Sequence, residues 1–65
     1  MLSIGDKVVC IKRDVMCALS EGETYTITKV RDRRYWTEDG SMDGYIYYGV
    51  NDSSVVFRED KFEEI

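Results

Sequence analysis

Residues 22–30, Gly-Glu-Thr-Tyr-Thr-Ile-Thr-Lys-Val, decide the fold. Gly22 supplies a turn, and the residues after it alternate threonines with Tyr25 and Ile27. β-Branched and aromatic side chains suit a pleated surface, and successive side chains in a strand point to opposite faces. Tyr25 and Ile27 therefore share one face. Val30 falls out of phase on the other, and the simplest repair is a bulge or bend near Thr28-Lys29.

Working outward, "DKVVCIK" (6–12) is a second strand signal, entered from the Gly5-Asp6 turn pair, and its four consecutive apolar residues predict cover on both faces. "RDVMCALSE" (13–21) lacks a sustained helical period and reads as a loop that drops Met16 and Leu19 onto the core. "YIYYGV" (45–50) and "SVVFR" (54–58), separated by "NDS", read as a hairpin. Between them and the first hairpin lies "RDRRYWTEDGSMDG" (31–44), a long excursion with turn signals at Asp39-Gly40 and Asp43-Gly44 and a short strand through Tyr35-Trp36-Thr37. In "EDKFEEI" (59–65), Phe62 and Ile65 are three apart, which predicts one tight helical turn placing both on the end of the core. Short strands and frequent turns imply an all-β domain over residues 1–65, and closure into a small barrel limits unpaired edges.

Composition narrows the chemistry. A 65-residue chain buries only roughly 60% of the surface its unfolded form exposes, so it can build one core. The sequence contains no His and no Pro, five Tyr, two Phe and one Trp, with 13 acidic against nine basic residues. Without His the commonest general base near neutral pH is missing, and acidic turn residues such as Glu38, Asp39 and Asp43 are usually solvated, so the chain reads as non-catalytic and without a cofactor. Cys10 and Cys17 alone cannot supply the four ligands of a structural zinc. Cys10 fits a small core position and Cys17 a loop. No apolar run approaches the ~20 residues that span a bilayer, and "MLSIGDK" lacks the regions of a signal peptide, so the expectation is a cytosolic chain with its thiols reduced.

The succession "GDKVVCI", "LSEGETYTITKV", "YIYYGV" and "VVFREDKFEEI" resembles the small Src-homology-3-like barrel proteins, particularly the short ones of bacteriophage genomes. The resemblance spans nearly the whole chain and rests on turn glycines and core apolars. It implies an SH3-like barrel of about five short antiparallel strands with a single helical turn near the C-terminus, in which Leu19, Gly22, Tyr25 and Ile27 form the diverging turn and second strand. It also implies a phage protein working in host cytoplasm. The sequence departs from peptide-binding Src-homology-3 domains: it has no acidic specificity loop in the expected place and no Pro in "YIYYGV", which argues against proline-rich ligands.

The most distinctive local feature is "KVRDRRYW" (29–36), where Lys29, Arg31, Arg33 and Arg34 outweigh Asp32 and Tyr35-Trp36 follow at once. Arginines beside aromatics mark both protein hot spots and nucleic-acid patches. The plain alternative is a solvated loop anchored by a core-packed Trp. The second candidate surface is "YIYYGV": if Ile46 and Tyr48 face the core, Tyr45 and Tyr47 lie outside, near Tyr35 or Trp36. The candidate partner-binding residues are therefore Arg31, Arg33, Arg34, Tyr35, Trp36, Tyr45 and Tyr47.

The rest of the chain is strongly acidic, which disfavours duplex phosphate and makes a protein, such as a host protein the chain modulates, the first-choice partner. A single-stranded nucleic-acid or RNA-binding barrel is the second reading. An oligomeric accessory protein pairing through residues 45–50 as an edge strand is the third. The acidic tail offers a variant of the first, with carboxylates standing in for phosphate.

Overall fold

The computed structural model describes residues 2–13 and 19–65. Met16 and Cys17, given core and loop places from sequence, lie outside the described residues. Over the described residues the fold is all-β with one 3-10 turn. Its strands are β1 (Lys7–Cys10), β2 (Thr24–Asp32), β3 (Tyr35–Trp36), β4 (Met42–Asp43), β5 (Ile46–Val50), β6 (Phe57–Arg58) and β7 (Phe62–Glu64), with the 3-10 turn at Glu59–Lys61 between the last two. Five of them form an antiparallel sheet in the order β6-β5-β2-β1-β7, while β3 and β4 form a separate two-stranded ribbon.

β2 is the spine of the sheet. At nine residues it is longer than the sequence signal, because Arg31 and Asp32 continue it. Its first half pairs with β1 and its second with β5. The change of partner coincides with a register shift between Ile27 and Lys29, the bulge that the misplaced Val30 required. Thr28 sits in that bulge, where its hydroxyl accepts a hydrogen bond from the Asp52 amide at 3.0 Å. Beyond it Val30 pairs with Tyr48 and packs against the core.

The core is Val8, Cys10, Leu19, Ile27, Ile46, Tyr48, Val50, Phe57 and Phe62. Three rings meet edge to face: Tyr48 with Phe62 at 6.5 Å between centroids, and Phe57 with Phe62 at 6.2 Å. Edge-to-face pairs of this kind add to their area burial. Tyr48 carries the one hydroxyl in this apolar cluster, and it accepts a hydrogen bond from the Leu2 amide at 3.1 Å. The edge strands β6 and β7 share no ladder; the 3-10 turn joins them, and the Phe57–Phe62 contact brings the ends of the sheet together.

Three expectations need correction. β1 is not covered on both faces: Val8 and Cys10 are buried, Val9 is half-buried and Ile11 is 40% exposed, because only one face of this strand meets the core. Ile65 is 73% exposed. The 3-10 turn ends at Lys61, so Phe62 begins an extended strand and the three-residue spacing to Ile65 carries no helical phase. Residues 45–50 are not an edge, since β5 lies between β2 and β6.

Candidate functional site

The excursion 31–44 is built as a ribbon standing off the sheet. Tyr35 pairs with Asp43 and Trp36 with Met42, so the two aromatic neighbours point to opposite faces of the ribbon. Trp36 is 72% exposed, and Tyr35 and Met42 are exposed as well. Among the described residues, none from 33 to 45 belongs to the core cluster, and no apolar side chain of that segment packs against it. The segment is a paired ribbon whose Trp is exposed, which corrects the alternative of a loop anchored by a core-packed Trp.

Local polar chemistry holds the ribbon in shape. At its tip the Asp39 carboxylate accepts from the Thr37 hydroxyl, from the Ser41 amide at 3.1 Å and from the Ser41 hydroxyl at 2.7 Å. These donors, Thr37 first, hold the Asp39 carboxyl down to about 2, well below the usual carboxylate range. Gly40 completes the turn at φ +84°. At the base, Arg33 donates its amide to the Tyr45 carbonyl at 3.1 Å. Gly44 crosses there at φ +88°, where a Cβ would lie 2.5 Å from the Arg33 carbonyl oxygen, so only glycine fits.

Arg34 belongs to this support. Its Nε and Nη2 donate to the two carboxylate oxygens of Asp32 at 3.0 and 2.8 Å, and its amide donates to the same group at 3.0 Å. The Arg34 guanidinium holds the Asp32 carboxyl down to about 2. A charge so paired is a brace at the ribbon's base, and Arg34 is set apart from the other candidate arginines.

Those others lie on the outer face of the sheet. Because Val30, Tyr48 and Phe57 point inward, their neighbours Arg31, Tyr47 and Arg58 point outward and stand abreast across β2, β5 and β6. The Arg33 guanidinium lies over the Tyr47 ring at 5.1 Å, and the Arg58 guanidinium lies over the Tyr45 ring at 4.5 Å. Lys29 packs above Gly49 in the next row, where a side chain on residue 49 would meet its Cβ at 2.8 Å. Tyr45 and Tyr47 thus lie outside as expected, but their rings meet arginines, and among the described residues neither forms a ring pair with Tyr35 or Trp36.

Arg58 is the residue that sequence reading missed. It is remote from the basic run and reaches the face only because β6 pairs with β5. Its Nε and Nη2 also donate to Asp60 at 3.0 and 2.7 Å, which holds the Asp60 carboxyl below the usual carboxylate range. Lys12 approaches the same carboxylate at 3.6 Å. Asp60 is therefore engaged, whereas Glu63 and Glu64 of the acidic tail are exposed. Among the described residues Lys29, Arg31 and Arg33 have no carboxylate partner.

A hollow of about 460 Å³ lies elsewhere, lined by Leu2, Tyr48, Glu59, Phe62, Glu63 and Glu64. Among the described residues no group of three or more His, Cys, Asp or Glu is placed to hold a metal ion, and Asp39 and Asp43 serve the ribbon. Cys10 is buried, and its thiol donates to the Lys12 carbonyl at 3.1 Å. No described helix is long and apolar enough to cross a membrane. The chain matches no family model and gives no significant match to curated proteins or solved structures.

Proposed function

We propose that the chain is a non-catalytic protein-binding module of the small SH3-like barrel kind, a bacteriophage-encoded modulator that docks on a host protein in the host cytoplasm. The phage assignment rests on the sequence resemblance. One observation carries the docking surface: Trp36 stands in water on a ribbon that contributes nothing to the core. A large ring held there adds no packing to the fold, and Trp ringed by other apolar and polar contacts is the commonest composition of an interface hot spot. Met42 lies opposite it and adapts readily to a partner surface. The Asp39 and Asp32 hydrogen bonds stiffen the ribbon beforehand, which lowers the ordering cost of binding.

Affinity capture from host lysate, read by mass spectrometry, tests this. Wild-type protein retains a partner that Trp36→Ala and Met42→Ala both lose, while circular dichroism shows each variant folded. Equal retention by the folded variants rejects the ribbon as the docking surface.

A further inference from the structure

We infer that the outer face of the sheet, separate from the ribbon, binds single-stranded nucleic acid through Lys29, Arg31 and Arg33 with Tyr45 and Tyr47. Lys29 and Arg31 are alternate residues near the end of β2, and Arg33 follows directly beyond its last residue, Asp32. A strand rises ~3.3 Å per residue, so Lys29 and Arg31 are attached ~6.6 Å apart, a spacing that an extended phosphodiester chain can follow. None of the three has a carboxylate partner among the described residues, so each is free to replace a counterion.

Beside this row Tyr45 and Tyr47 present their rings at the same two-residue interval. Each ring already carries a guanidinium, Arg33 on Tyr47 and Arg58 on Tyr45, which adds a planar group on which a base can stack. Asp32 and Asp60 beside this face are paired with Arg34 and Arg58, and Glu59 near Arg34 leaves one carboxylate against the three cations Lys29, Arg31 and Arg33. The charge of the face is therefore opposite to that of the chain as a whole. At Gly49 the backbone is buried, and the absence of a side chain lets Lys29 lie directly across it.

Charge complementarity admits an acidic protein as well as a polynucleotide. The paired rings at a strand interval favour the polynucleotide, because an acidic side chain gains nothing from a ring face while every base does. A duplex hides its base faces, so the same geometry selects single strands.

The test is fluorescence anisotropy with labelled oligothymidylate and oligouridylate of about 12 nucleotides, within the usual site size of small barrels. With three phosphates neutralised, log affinity falls against log salt with a slope of about −2. Arg31→Ala flattens that slope by about 0.7. Tyr45→Ala weakens binding by about fivefold or more at unchanged slope, and Tyr45→Phe, which keeps the ring, restores it. Trp36→Ala leaves binding unchanged. The DNA and RNA probes separate the two sources of the ligand.

No binding at low ionic strength overturns the inference. So does binding that polyglutamate displaces as well as oligonucleotide and that Tyr45→Ala leaves intact, which would mark an acidic-protein surface. Either failure leaves the ribbon proposal standing, since that rests on Trp36 and Met42.

Discussion

The five-stranded sheet and the β3–β4 ribbon use similar residues for opposite ends. In the sheet, Tyr48 is 2% exposed and meets Phe62 edge to face. In the ribbon, Tyr35 and Trp36 project into water and meet no other ring. The sheet is held by burial and the ribbon by short-range hydrogen bonds to Asp32 and Asp39. Burial fixes one structure cooperatively, whereas side chain to backbone bonds fix only a local shape. Large apolar groups can therefore be presented to a partner without placing the fold at risk.

The largest effect expected from this contrast is in the core. Phe62→Ala removes a ring that touches both Tyr48 and Phe57 and costs about 3–5 kcal/mol, enough to unfold much of a domain this small. Urea denaturation measures it. A loss below about 1 kcal/mol would mean that the sheet does not depend on its aromatic cluster.

Next comes Gly44→Ala, which sets a Cβ against the Arg33 carbonyl at a left-handed φ and costs about 1–3 kcal/mol. Its damage stays in the ribbon. Amide exchange at Thr37 and Arg33 accelerates more than at Ile27, and uniform acceleration would show that ribbon and sheet open together.

Smaller still is acidification. Asp32 and Asp39 both have carboxyls held to about 2 against 3.8, so their stabilising hydrogen bonds are fully present above pH 3.8 and are lost as pH falls towards 2. Nuclear magnetic resonance shifts of residues 33–43 move through that window ahead of those of the sheet. Simultaneous movement of both regions would contradict the separation. The smallest effect is Trp36→Ala, which changes stability by less than about 0.5 kcal/mol although it removes the largest side chain in the molecule.

The same contrast explains what could be seen in the sequence. The sheet was legible because burial imposes a two-residue period: Ile46 and Tyr48 in with Tyr45 and Tyr47 out, and the bulge exposed by Val30 falling out of phase. Where burial is one-sided or absent, the signal fails. Val9 and Ile11 look like core residues by type, but only their neighbours Val8 and Cys10 meet a partner surface.

The ribbon has two residues per strand, too few for any period, and its aromatics point apart because of a pairing that only the Asp39-Gly40 turn geometry sets. Arg34 sorted away from Arg31 and Arg33 through a bond to Asp32 that adjacency in sequence does not specify. Arg58 joined the outer face through strand pairing alone.

The single Trp of this protein is displayed by a firm ribbon and plays no part in the core. Acrylamide quenching of its fluorescence tests that directly. Trp36 in the folded protein should emit like an indole in water and be quenched nearly as readily as in the urea-unfolded chain. A blue-shifted emission protected from acrylamide, regained only on unfolding, would place the ring inside the fold and contradict the account.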